Sequence, residues 1–251
     1  MNYTHRYRIK WHDTDANREV HPSRLLMYMQ ETANLQLEDS GMPLDGLRDR
    51  HGLAFILSRV SLQINKPLYA YEEIEVQTWV NDGKGFSFNR YFRVLRAGEE
   101  IARAATVWAL IDIHSRRLLR TEEFTVPASI DDPLQTDLPR RVHFGGSVAL
   151  EEAGERTVRY SDIDYNGHMN NTNYPDMLCD FLPDPLGVRV SGFVLSYLHE
   201  GTFGHTLRVL RADTEGGYLF RTADADGTVC LEAFVRTEAR QQNQTDGEPA
   251  K

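Results

Sequence analysis

The chain contains two copies of one pattern. Lys10-Trp-His-Asp-Thr-Asp-Ala-Asn17 and Arg159-Tyr-Ser-Asp-Ile-Asp-Tyr-Asn166 place Asp13/Asp162, Asp15/Asp164 and Asn17/Asn166 at a constant offset of 149. Further on, Phe55-Ile-Leu-Ser58 lies over Phe193-Val-Leu-Ser196 at an offset of 138, so on this register the second copy is 11 residues shorter between those points. A duplicated unit restricts the fold strongly. Each copy must be a supersecondary unit with its own apolar face, and two fused copies are expected to pair about a pseudo-twofold axis as a homodimer would.

Each copy reads as a strand, a polar loop, a helix and then a meander. Tyr3, His5, Tyr7, Ile9 and Trp11 alternate with Thr4, Arg6, Arg8 and Lys10, which is the period of a strand. Ser23 is placed to cap a helix whose Leu25, Met29, Ala33 and Leu37 share one face, and Gly41 and Pro43 end it. Strands are predicted over 54–65, 72–80, 86–95 and 101–113, with turns at 81–83 and near Gly98. Such short connections make antiparallel neighbours, and a sheet with one apolar face wraps the helix: an α+β unit. The second copy repeats this with a strand to Tyr160, a helix over 174–182 and strands over 189–198, 205–211, 218–223 and 228–238. The proline-bounded polar stretch 127–139 reads as a linker. The expected domains are 1–126 and 141–238, joined by 127–140 and followed by a disordered tail at 239–251.

Composition excludes several classes. A net charge of −9 argues against nonspecific nucleic-acid binding, which needs a basic stripe. No window approaches the roughly 18 apolar residues of a membrane span, and the first residues carry no signal-peptide core, so the chain reads as cytoplasmic. Cys179 and Cys230 lack metal or redox spacing and read as small buried hydrophobes. Asp162 to Gly167 begins like a calcium loop, but its twelfth position is Asn173 where a bidentate Glu is required. No metal and no cofactor is expected.

The second loop is the candidate site. Asp162, Asp164, Asn166 and His168 alternate between a strand and a helix start, where unpaired N–H groups could face a developing oxyanion. The copies differ here: Glu19 stands in place of His168, and the strand register puts Leu62 opposite Glu200. An acid/base pair, expected to be buried, is thus present in the second copy alone.

These residues carry a resemblance. Asp164, Asn166, His168, Asn170 and Asn171 match the D-x-N-x-H-x-N-N motif of acyl-acyl carrier protein thioesterases of the plant and bacterial type. Tyr197-Leu-His-Glu200 matches that family's downstream acidic position, and Trp108 to Arg117 its W-x-x-x-D-x-x-x-R-R segment. The similarity covers residues 1–238, with Gly201 where many plant members have Cys. It implies two tandem hotdog domains, the first binding the acyl chain and the second catalytic, and hydrolysis of fatty acyl-acyl carrier protein that ends fatty acid synthesis. Glu200 is then the general base on a water. Asn166 and His168 orient that water and polarise the carbonyl, and Asp164 fixes their geometry, with direct attack by Asp164 or Glu200 left open. Leu25 and Met29 would line the acyl slot, and Arg116, Arg117 and Arg120 would dock the acidic carrier. The alternatives are a hotdog hydratase/dehydratase, an acyl-coenzyme A thioesterase and a noncatalytic carrier-binding protein. Oligomeric state is left open, a homodimer included.

Overall fold

The computed structural model describes residues 2–124, 126, 133–144 and 148–240. The N-terminal copy comprises β1 (Tyr3–Arg8), α1 (Pro22–Asp39), α2 (Leu44–His51), β2 (Leu53–Ile64), β3 (Glu73–Lys84), β4 (Ser87–Arg96), β5 (Glu99–Asp112) and the short β6 (Leu118–Leu119). The C-terminal copy comprises β7 (Glu151–Thr157), α3 (Tyr174–Cys179), β8 (Val188–Tyr197), β9 (Thr206–Thr214), β10 (Gly217–Ala223) and β11 (Val229–Ala239). All pair antiparallel in one sheet of order β1-β3-β4-β5-β2-β8-β11-β10-β9-β7, with β6 beside β5. The order is a palindrome of two hotdog units joined at the β2–β8 seam, where Arg59↔Ser196 through Gln63↔Gly192 are paired.

The core is continuous across that seam. Val60 and Leu62 of β2 and Phe193 and Leu195 of β8 are fully buried, in one cluster with Leu25 and Met29 of α1 and Tyr174, Met177 and Leu178 of α3. Burial of a large aliphatic or aromatic side chain contributes about 1.5–3 kcal/mol, so this layer dominates the join between the copies. Gly192 is required at the seam: a Cβ there would lie 2.9 Å from the Leu62 carbonyl oxygen and 3.0 Å from a Leu138 methyl.

The repeat is real, but its strand register differs from the one read off Phe55–Ser58 and Phe193–Ser196. The paired strands bulge at Ser58, between the pairs Leu57↔Trp108 and Arg59↔Val107, and at Ser191, between Gly192↔Arg236 and Val190↔Thr237. These positions are 133 apart, not 138. The same offset relates Val20 N–H→Leu68 O to Met169 N–H→Gly201 O, and Ile9 N–H→Glu72 O to Val158 N–H→His205 O. The counterpart of Glu200 is therefore Pro67. Leu62 instead pairs with Phe193 at the seam. The shared tetrapeptide misled because a five-residue slip turns every side chain to the opposite face, which four similar apolar letters do not reveal.

Several element boundaries also move. Helix α1 starts at Pro22, where a missing N–H is harmless, and its cap is His21. Ser23 is no cap: its hydroxyl donates to Asp176 Oδ2 in the C-terminal copy, and its N–H donates to Asp176 Oδ1 at 3.0 Å. Removing one hydrogen bond to a charged group costs about 1.5–3 kcal/mol, so Ser23→Ala should lower unfolding free energy by about that amount in chemical denaturation. The strand before the second loop ends at Thr157, and the helix expected over 174–182 stops at Cys179. Helix α2 lies between the first helix and the strand expected from residue 54, where no element was expected.

The expected linker is a strap. Of its residues, 127–132 lie outside the described set, while Leu134 packs on Trp79 and Tyr91 and Leu138 packs on Val194, Leu219 and Phe234. Ser61 and Thr136 hydroxyls meet at 2.6 Å, and Arg236 pairs with Asp137 at 2.8 Å, so the segment is fastened across the sheet's outer face. Likewise, of the expected tail 239–251, Ala239 closes β11 and Arg240 is held by ion pairs; residues 241–251 lie outside the described set. Among the described residues no helix is long and apolar enough to cross a membrane.

Candidate active site

The loop between β7 and α3 is a tight turn built by Asp164. Its Oδ1 accepts the Asn166 N–H at 2.8 Å, its N–H donates to His168 O at 2.9 Å, and its carbonyl accepts the Gly167 N–H at 2.9 Å. Gly167 has φ +79°, a conformation glycine adopts without penalty. The N-terminal copy builds the same turn: Asp15 Oδ1 accepts from Asn17 N–H at 2.8 Å, and Arg18 takes the left-handed position at φ 66°. The aspartate shared by both copies therefore serves backbone geometry. Its carboxylate secures the loop and makes no hydrogen bond to the His168 ring or the Asn166 side-chain carboxamide, which narrows the role expected for it.

The turn delivers His168 to Glu200. His168 pairs with Thr202 in an antiparallel bridge, Met169 N–H donates to Gly201 O at 2.7 Å, and His168 Nε2 sits 3.1 Å from Glu200 Oε2. Glu200 is carried on the turn after β8, fixed where Leu198 and His199 N–H groups donate to Cys230 O at 2.9 and 3.2 Å. The Tyr197 hydroxyl donates to Asn171 O at 2.8 Å and ties this turn to the loop. The pair is not buried as expected: the side chains are 32% and 50% exposed, open to solvent.

In the N-terminal copy the corresponding place is closed. Glu19 lies 2.6 Å from Arg240 Nη1 and Asp15 lies 3.8 Å from Arg240 Nη2, and Pro67 replaces the acid. The Arg240 guanidinium thus occupies the Glu19 carboxylate that stands where the second copy has His168.

Helix α2 adds a residue that the sequence reading missed. Arg48 Nη1 donates to Asn166 Oδ1 at 2.6 Å, and its guanidinium carbon lies 5.1 Å from the Tyr165 ring centre. The N-terminal copy thus reaches into the C-terminal loop. The signal was present: Pro43 before and Gly52 after, Asp45 in the first turn and Arg48, Arg50 and His51 in the last bracket a short helix.

Other expectations are redistributed. The N–H groups of Thr172 and Asn173 are taken by Asn170 Oδ1 and Asn170 O at 2.9 Å each, so they are not open donors for an oxyanion. Burial pushes both thiols up, Cys179 strongly, so neither is a ready thiolate. At Gly201 a Cβ would lie 3.0 Å from the Tyr174 hydroxyl oxygen and 3.5 Å from Val158, so a side chain there would press into the core. Leu25 and Met29 are 2% and 1% exposed, packed in the core rather than lining an open slot. Two surface clefts, of about 390 and 220 Å³, are lined by other residues. Arg116, Arg117 and Arg120 are exposed near the β5–β6 turn. Arg117 is paired with Glu123 at 3.0 Å, and Arg120 stacks 5.0 Å from the Phe86 ring centre.

Residues 1–127 match the model of the acyl-ACP thioesterase N-terminal domain, and residues 148–222 that of its C-terminal domain. The chain belongs to the acyl-ACP thioesterase family. Among curated relatives, a dodecanoyl-[acyl-carrier-protein] hydrolase of Cinnamomum camphora is 23% identical over 84% of this chain and 59% of its own length. A palmitoyl-acyl carrier protein thioesterase of Arabidopsis thaliana is 25% identical over 83% of this chain and 54% of its own. The chain thus spans little more than half the length of these chloroplastic family members. A crystal structure of an acyl-ACP thioesterase from Bacteroides thetaiotaomicron superimposes with a TM-score of 0.81 at 25% identity, covering 94% of this chain and 97% of that one. A 12:0-ACP thioesterase from Umbellularia californica has the same fold, with a TM-score of 0.81 at 21% identity.

Proposed function

We propose that this acyl-ACP thioesterase family member hydrolyses fatty acyl thioesters of acyl carrier protein, releasing the free fatty acid. The carrying observation is the His168–Glu200 pair at 3.1 Å, His168 being in the same loop as Asn166, built in the C-terminal copy and closed in the other. In this reading Glu200 takes a proton from water as its oxygen bonds to the carbonyl carbon. The Asn166 amide and the His168 ring face the developing oxyanion, and Glu200 returns the proton to sulfur as the carbon–sulfur bond breaks. The products are a carboxylic acid and the carrier's thiol. Asp164 holds the loop that presents these groups.

The N-terminal copy, about 1–126, is assigned the acyl chain, in the layer between α1 and the sheet where Leu25 and Met29 pack. Entry requires that layer to part, and an unbranched Met side chain eases this. The C-terminal copy, about 141–238, is assigned the chemistry. The carrier's acidic surface is assigned to Arg116, Arg117 and Arg120, on the copy that also supplies α2.

A panel of acyl-carrier and acyl-coenzyme A thioesters assayed for thiol release tests the reaction. Hydrolysis of the carrier substrates is expected, and no thiol release from any member would overturn it. Charge reversal of the three arginines should raise KM for carrier substrates about tenfold while leaving coenzyme A substrates unchanged. An equal effect on both would make the cluster ordinary surface.

A further inference from the structure

We propose that Arg48 is a positioning residue for the reaction, acting from the N-terminal copy to set the orientation of the Asn166 carboxamide. The inference rests on the functional reading above, in which Asn166 faces the oxyanion. A guanidinium has donors and no acceptor, so the amide atom 2.6 Å from Arg48 Nη1 must be the oxygen. The Asn166 NH₂, with its two donors, is then turned the other way. Without Arg48 either face of the amide could present, and half of those orientations would place an oxygen where an oxyanion forms.

Arg48 is itself held. Tyr165 lies against its guanidinium, with the guanidinium carbon 5.1 Å from the ring centre. Leu47, 4% exposed, anchors α2 to the rest of the copy, and Gly52 at φ 63° closes it with an N–H to Arg48 O at 3.0 Å. The guanidinium thus stands on a capped and anchored helix.

The other copy shows the opposite arrangement. Asn17, the counterpart of Asn166, has its Nδ2 3.5 Å from Leu186 O. A carbonyl accepts and never donates, so here the amide is turned with a donor consumed. Among the described residues no helix of the C-terminal copy corresponds to α2: the offset falls from 149 at the loop to 133 at the strand bulge, so the N-terminal copy is 16 residues longer between them. The extra length is what carries Arg48 across to the one loop that holds His168.

The test uses the full chain and a carrier substrate that it hydrolyses. Arg48→Met keeps the stem that packs on Tyr165 and removes every donor; Arg48→Lys keeps a donor. Arg48→Met should lower kcat about 10- to 100-fold with KM and Tm near wild type, since loss of alignment acts on the chemical step, and Arg48→Lys should recover part of the loss. Combined with Asn166→Ala, Arg48→Met should add nothing, because both remove the same interaction. Wild-type kcat in Arg48→Met, or a loss that adds in full to that of Asn166→Ala, overturns the role of Arg48 and leaves the functional reading intact. Wild-type turnover in Asn166→Ala overturns both. Should Arg48→Met melt early, Arg48→Lys in the presence and absence of Asn166→Ala gives the same non-additivity reading.

Discussion

Glu200→Gln and His168→Ala should each lower kcat for thioester hydrolysis by about two to four orders of magnitude, the usual range for a lost general acid or base. The two groups lie 3.1 Å apart, and neither is part of the apolar core, so either substitution removes chemistry without opening a cavity. Glutamine preserves the volume and hydrogen-bonding reach of Glu200 but cannot accept a proton from water, which separates base catalysis from shape. Folding is checked by thermal melting, expected within a degree or two of wild type. The measurement is thiol release under single-turnover conditions, so that slow product release does not mask the chemical step. A Glu200→Gln protein retaining more than half of wild-type turnover would remove Glu200 as base.

Most of the site was legible because its residues sit close together in sequence and diverge between two copies of one loop. Asp164, Asn166 and His168 fall within five residues, and the comparison with Asp15, Asn17 and Glu19 isolates His168 as the difference. What could not be read was everything set by packing between the copies. Arg48 lies 118 residues from Asn166, and only the folded seam brings them together. Arg240 lies 221 residues from Glu19, at the end of a stretch whose composition reads as tail, yet it closes the unused loop. The palindromic sheet was foreseeable from antiparallel meanders on each side of one linker. Its register was not, because the bulges at Ser58 and Ser191 are backbone events that the apolar pattern of the strands does not mark.

The linker shows the same limit from the other side. Proline and aspartate are its commonest residues, and local rules place it in solvent. Two leucines, Leu134 and Leu138, decide otherwise by burying against opposite halves of the sheet. Two apolar residues four apart in a nonperiodic stretch carry no local signal, and their role appears only when the outer face of the sheet is there to receive them.

Asn166→Ala should lower kcat about a hundred- to a thousandfold, the cost of one lost oxyanion donor, while Asn17→Ala leaves turnover per folded molecule unchanged. Both asparagines occupy the same place in the same turn, and both take an Asp Oδ1 contact at 2.8 Å through their backbone N–H, so a purely structural role would be served equally at each. Their surroundings differ in three ways. Asn166 lies in the loop that brings His168 to Glu200, whereas Asn17 lies in a loop whose Glu19 is ion-paired with Arg240 and where Pro67, which has no proton to give or take, stands in place of Glu200. The Asn166 amide is turned by Arg48 with its NH₂ free, whereas Asn17 spends an N–H on Leu186 O at 3.5 Å. That last contact is long, so losing it should cost less than about 1 kcal/mol of stability. The two variants are compared on one carrier substrate at equal folded concentration, with the Glu200→Gln protein as the inactive reference. If Asn17→Ala were as inactive as Asn166→Ala while still folded, the two copies would share the chemistry, and the Arg240–Glu19 pair could not be the closed end of an unused site.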